Sequence, residues 1–362
     1  MSLRIHLVAL PNVQTTKAYS LCGFCTATIR FARLLKSLGY HVIFYASEEN
    51  EAPCDELVRV ITKEEQKVLL DGLEYQHAAL YNRGYPLWAL ANNRTVAEIA
   101  KRKQKGDFIC LIGGTSQEPI ANAHPDLMTV EYSIGYVSSF AKYRVYESHY
   151  WRAMSHGAQN MIDGRFFDAV IPLCFDSAEF KYRGNAEKEP FALYVGRLVP
   201  KKGLSIACKA AALAGVPLKV IGHGDTSLVT DGAEYVGALE MEEKNEWMSR
   251  ASVLLAPTLY VEPFGSVAIE AQMCGTPVVS TDFGGFVETV DHGVTGYRCN
   301  YLGEFVEAIK QAPKLDCLTI RKRALAKYDI PTVAAEYDRY FKRLNLLWDQ
   351  GWDTPTCLPL TS

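Results

Sequence analysis

The chain has 362 residues, a size that favours two domains over a single core. A formal net charge of −3 gives no global electrostatic case for a nucleic-acid partner, and 48% apolar with 22% charged residues fits a folded protein rather than a disordered or membrane-embedded one. No apolar run reaches the ~20 residues that span a bilayer, so no transmembrane segment is expected.

In chain order, the opening "MSLRIHLVAL" is too short and too alternating for a secretory signal, and residues 3–10 read as a strand. The expected location is cytoplasmic, soluble or at most peripheral to a membrane. Cys22 and Cys25 form a CxxC with no second CxxC to complete a zinc site. A redox role for the pair stands against a plain loop-to-helix reading, and the other cysteines in apolar runs (Cys110, Cys174, Cys208) read as small core residues. Phe31, Leu34, Leu35 and Leu38 fall at helical spacing, and Gly39 stops that helix. Residues 41–46 are the next strand. A helix begun near Thr95 ends in the basic run 101–105, a solvated face rather than an acceptor or membrane patch. Residues 108–114 and 168–173 are further strands.

A polar, aperiodic stretch over 174–190 reads as a linker, and the pattern then restarts. Residues 191–198, 218–224, 252–257 and 277–281 read as strands, with helices over 203–215 and from about Ser266. Alternating strands and helices predict parallel βαβ units. The expected architecture is therefore α/β, with two Rossmann-like doubly wound parallel-sheet domains facing each other across a cleft. The expected boundaries are 1–175 for the first domain and 176–332 for the second. Val333, Tyr337, Tyr340, Phe341, Leu344 and Leu347 mark an amphipathic helix, expected over about 333–362 and packed back on the first domain.

Ligands of doubly wound sheets bind at the carboxyl ends of strands. At one such end Gly196 lets the chain turn, Arg197 emerges, and Lys201 and Lys202 follow. An arginine fork and a lysine point charge suit a diphosphate, although a solvated basic loop would look the same. After the strand at 252–257 comes "YVEPFGSVAIEAQMCG". Glu262 precedes a Pro-Phe-Gly turn, and Gly265, Ser266 and Val267 open a helix whose first amides form an anion site. Glu270 lies one turn on, in a largely apolar helix where an acid needs a partner. A carboxylate accepts two hydrogen bonds, as a vicinal diol requires. The two acids fit a ligand with sugar hydroxyls on either side of a phosphate, against the plainer reading of one loop acid and one helix-face acid.

These segments resemble the retaining glycosyltransferases of the GT-B fold, family 4 (group 1) type. The resemblance rests on the two glutamates around "EPFG" followed by "EAQMCGTPVV", on "VGRLVPKKGL", "VIGHGD", "EYVGAL" and "GGFVETVDHGVTGY", and on the linker "VIPLCFDSAEF". It is strong over about 166–310 and weak before that. It implies a nucleoside diphosphate sugar as donor, a GDP- or UDP-sugar with GDP-mannose among them, no cofactor and no metal. The acceptor hydroxyl would belong to a glycan, glycoprotein or lipid-linked molecule, and the anomeric configuration would be kept. Arg197, Lys202 and Glu262 are the implied catalytic residues. Gly23, Gly196, Phe264, Gly265, Ser266, Val267 and Glu270 are the implied donor contacts, and Cys22 stands where the family has the first of two glycines. His124, Glu131, Tyr132 and Tyr136 are the acceptor-side candidates. A sugar-nucleotide 2-epimerase and a non-catalytic nucleotide-sugar binding protein are the alternative functions.

Overall fold

The computed structural model describes residues 2–75 and 84–347. It divides into two compact units. The first comprises 1–146, 158–174 and 330–362, and the second 147–157 and 175–329. The first sheet contains β1 (Arg4–Val8), β2 (His41–Ser47), β3 (Glu56–Ile61), β4 (Phe108–Leu111), β5 (Met128–Ile134), β6 (Tyr143–Tyr146) and β7 (Asp168–Val170). The second contains β8 (Glu189–Val195), β9 (Leu218–Ile221), β10 (Glu234–Gly237), β11 (Ala251–Ala256), β12 (Val278–Thr281) and β13 (Gly296–Cys299). The helices, in chain order, are α1 (Gly23–Ser37), α2 (Lys63–Leu70), α3 (Pro86–Arg102), α4 (Glu118–Ala123), α5 (His149–Ala158) and α6 (Leu204–Ala214). They continue with α7 (Met241–Arg250), α8 (Ser266–Met273), α9 (Phe286–Thr289), α10 (Leu302–Gln311), α11 (Cys317–Tyr328) and α12 (Ile330–Asn345).

The first sheet has the order β3-β2-β1-β4-β5-β6-β7 and the second β10-β9-β8-β11-β12-β13. Neighbouring strands pair in parallel, so each step needs a crossover, and helices cover the faces. In the second sheet the strand order reverses between β8 and β11. Ligands of such folds lie outside the carboxyl ends of the strands at that reversal.

Apolar periodicity fixes the packing of the first unit. On α1, Phe31, Leu34 and Leu35 are buried, and Gly39 follows at φ +71 and ends the helix. Phe31 stacks on Tyr132 of β5 with centroids 4.0 Å apart and meets Tyr337 of α12 edge-on at 4.9 Å. Val333, Tyr337, Tyr340, Phe341 and Leu344 of α12 are all buried, and Phe341 lies edge-on to Phe108 of β4. That stripe is thus covered by the first unit. The part of the expected 333–362 helix beyond 347 lies outside the described residues.

Helix α3 starts at Pro86 rather than near Thr95, because Pro at the first turn is compatible with helix and Leu87, Trp88 and Ala91 bury its earlier turns. Cys22 and Cys25 are buried free thiols, and burial pushes the Cys25 thiol far up, which leaves it unreactive. The basic run that ends α3 keeps a solvated face and carries ion pairs, with Lys101 and Arg102 on Glu98 and Lys103 on Asp126.

Candidate active site

The reversal between β8 and β11 gathers the candidate residues of the second unit. Leaving β8, Gly196 donates its N–H to the Ile221 carbonyl (3.0 Å), which ties the turn to β9. The next residue, Arg197, is held from both ends. Its carbonyl accepts the Tyr194 hydroxyl at 3.1 Å, and its side chain hydrogen-bonds Tyr260. Lys202 follows in a short 3-10 turn (Pro200–Lys202), and its Nζ lies 2.7 Å from Glu262 Oε2. The Lys202 ammonium also stands over the Tyr260 ring, 4.9 Å from the centroid. Burial and the Glu262 carboxylate together push the Tyr260 phenol well up, so it stays a neutral hydroxyl.

Glu262 is positioned by the loop that follows β12. Gly285 donates its N–H to the Glu262 carbonyl at 2.7 Å. Gly284 has φ +65, and a Cβ there would stand 2.8 Å from the Glu262 nitrogen, so only glycine lets the two loops meet. Beyond Glu262 the turn buries Phe264 against Phe175 and edge-on to Tyr328. The ring of Phe264 is therefore core, and its backbone is what the site can use. Gly265 caps α8 at φ +84, with Phe286 packed where a Cβ would project. The Ala268 N–H bonds the Gly265 carbonyl, which leaves Ser266 and Val267 in the first turn, where amides lack intrahelical acceptors.

Glu270 lies one turn into α8 and is buried, and Lys244 of α7 reaches it at 2.9 Å. Sequence reasoning called for a partner to Glu270 but did not find Lys244. It also missed Tyr260, and the segment 147–150. Ser148 Oγ donates to the Pro263 carbonyl at 2.6 Å, and the Glu288 carboxylate accepts the N–H groups of His149 (3.0 Å) and Tyr150 (2.8 Å). The sequence "YES" carries no motif that would have flagged it.

The site thus pairs each acid with a lysine: Glu262 with Lys202, and Glu270 with Lys244. A lysine ammonium has three donors, so each can keep its carboxylate and still turn a proton toward an anion. Arg197 and the start of α8 add positive potential beside them.

The first-unit candidates are placed differently. Gly23 is the first residue of α1, and nothing described stands within 4 Å of a Cβ built on it. Glu131 is fully buried and accepts from the Tyr136 hydroxyl (3.1 Å) and from the N–H groups of Phe140 (2.8 Å) and Ala141 (2.7 Å). Burial raises its pKa, and those bonds pull it back only in part. It pins the loop after β5, and Tyr136 serves the same bracket. Tyr132 is sealed under α1, its hydroxyl 3.1 Å from Thr28 Oγ1. His124 precedes β5, at the amino end of the strand and so away from the end where ligands of such sheets bind. It is a core histidine rather than a surface-loop one, with Nε2 3.1 Å from the Val96 carbonyl and a pKa lowered by burial. The structure brings Glu131 and Tyr136 together and leaves His124 and Tyr132 in separate packing roles.

Against known proteins, the model of the family "Glycosyl transferases group 1" matches residues 176–318. The group 1 segment contains Arg197, Lys202, Lys244, Glu262 and Glu270. A phosphatidyl-myo-inositol mannosyltransferase of Propionibacterium freudenreichii subsp. shermanii is 33% identical over 128 residues, covering 33% of this chain and 33% of the relative. The match thus spans about a third of that relative's length. Among solved structures, AviGT4, a glycosyltransferase involved in avilamycin A biosynthesis, covers 95% of this chain and 98% of its own at a TM-score of 0.70 and 20% identity. Anabaena Alr3699/HepE in complex with UDP-glucose covers 94% and 100% at a TM-score of 0.66 and 16% identity. These likenesses show the fold, two parallel-sheet α/β units of the GT-B type. Among the described residues no metal-holding group of His, Cys, Asp and Glu occurs, and no helix is long and apolar enough to cross a membrane.

Proposed function

We propose that the protein transfers a sugar from a nucleoside diphosphate sugar to an acceptor hydroxyl with retention of configuration. The observation that carries this reading is the Lys202–Glu262 pair, 2.7 Å apart beside Arg197 and the start of α8. The chemical problem is departure of a diphosphate from the anomeric carbon. Arg197, Lys202 and the first-turn amides of Ser266 and Val267 stabilise the charge that develops on it. Glu262 grips hydroxyls of the transferred sugar, and Glu270, held by Lys244, takes the ribose diol. The leaving phosphate oxygen accepts the proton of the acceptor hydroxyl on the same face of the sugar, which preserves the configuration without a covalent intermediate. The UDP-glucose held by HepE supports a nucleotide-sugar donor, with UDP- and GDP-sugars the classes to test. The nine described cysteines are free thiols, which suits a reducing cytoplasm.

Thermal-shift screening of UDP- and GDP-sugars, followed by assay of nucleoside diphosphate release with and without added glycan, glycoprotein or lipid-linked acceptors, tests the reading. A donor that raises the midpoint and is consumed faster with acceptor supports it. Failure of every nucleotide sugar to bind or turn over would refute it.

A further inference from the structure

Glu147 enters the second unit at the carboxyl end of β6, and three contacts fix the chain beside it. Ser148 is bonded to the Pro263 carbonyl, and the N–H groups of His149 and Tyr150 are bonded to Glu288. Pro263 follows Glu262 directly, so Glu147 is clamped against the loop that carries the sugar-gripping acid. The two carboxyls feel one another, while Lys202 sits on Glu262 and no ion pair to Glu147 occurs among the described residues.

We propose that Glu147 is a further ligand of the transferred sugar, a carboxylic acid that donates a hydrogen bond to a sugar oxygen where Glu262 accepts one. This rests on the proposed nucleotide-sugar reading and extends it at the same site. The protonation state agrees with the geometry: burial, and then the Glu262 charge, push the Glu147 carboxyl up to about 8. A neutral acid has the O–H that a carboxylate lacks, so the site can both donate to and accept from a polyol. The charge that acts on Glu147 is that of Glu262, which Lys202 holds at 2.7 Å and which Tyr260 and Arg197 adjoin, while Glu288 accepts the N–H groups of His149 and Tyr150 two and three residues on in the chain. Tyr260 titrates far above the working range.

The test uses the full chain and two variants, Glu147→Gln and Glu147→Ala. In the first arm, carbon-13 NMR of the glutamate carboxyls, with the Glu147 signal assigned by its loss in Glu147→Gln, reads the titration directly. A midpoint near pH 8 supports the proposal, and a midpoint in the ordinary carboxylate range of about 4 overturns it. In the second arm, kcat/KM is followed against pH with a neutral UDP- or GDP-sugar. The full-length native chain loses kcat/KM as pH rises through the Glu147 midpoint. Glu147→Gln, whose amide still donates, loses that alkaline limb, and Glu147→Ala falls roughly tenfold on the acid side, the worth of one hydrogen bond. An alanine variant with native kcat/KM, or a glutamine variant that keeps the alkaline limb, overturns the proposal. If the native protein turns over no nucleotide sugar while Glu147 titrates near pH 8, the proposed function falls and the neutral acid stands.

Discussion

Replacing Lys202 with methionine keeps the length of the stem and removes the ammonium, which separates two things the residue can do. One is structural. Lys202 and Glu262 lie 2.7 Å apart with side chains 18% and 13% exposed. An exposed pair is worth about 0–1 kcal/mol, and stripping one partner from a fully buried pair costs about 3–5 kcal/mol. With part of both groups still wet, about 1–3 kcal/mol is expected. Loss of the ammonium from the Tyr260 face, 4.9 Å away, adds about 0.5–1 kcal/mol. The other effect is on the reaction. Removing one preorganised donor from a developing anion lowers kcat by about 10²–10³. The assay is nucleoside diphosphate release, run beside thermal unfolding of the same preparation. The expected variant is folded, melts several degrees lower, and turns over at least a hundredfold more slowly, by the same estimate. A variant that melts lower yet keeps kcat within about threefold would show that Lys202 only braces Glu262, and the leaving-group assignment would be refuted.

Glu270→Ala strands the Lys244 ammonium, and the donor-induced rise in melting temperature should disappear, whereas Lys244→Met should reduce that rise without abolishing it; both are read by thermal shift with the donor. Gly265→Ala places a Cβ 2.5 Å from the Phe286 ring at φ +84, and the left-handed strain of about 1–2 kcal/mol plus overpacking of about 1–3 kcal/mol should appear in urea unfolding. Glu147 makes stability depend on pH. Its folded pKa, about 8, lies above that of the unfolded chain, so between the ordinary glutamate value and pH 8 the unfolded state ionises first and stability falls as pH rises. Glu147→Gln should flatten that decline, which melting temperatures at pH 5 and pH 8 will show.

Most of the second unit was legible because its motifs sit at strand ends and glycine turns, where chemistry and chain geometry constrain the same residues. The strands that escaped had physical reasons. β5 has Glu131 in its middle, which breaks the apolar run, and the reason the acid is tolerated is three tertiary hydrogen bonds. β10 is a short edge strand with no buried residue, and β13 carries Arg298 in its centre. The need for a partner at Glu270 could be read from its apolar surroundings. That the partner is Lys244 could not, since α7 is polar along most of its length and only folding brings its lysine to α8. Glu131, Tyr132 and His124 show the converse, for all three are buried and hydrogen-bonded within the first unit. A polar residue in a strand-rich segment looks the same in sequence whether it faces a ligand or braces a core.

The chain enters and leaves the body 175–329 at adjoining points: the Phe175 N–H bonds the Tyr328 carbonyl at 2.8 Å, and Ser177 bonds the Asp329 carboxylate. Its two ends are stitched together, so little loop-closure entropy would be lost on moving it whole into another host. A body of this design is transplantable, provided the graft also carries the excursion at 147–157 whose serine grips Pro263.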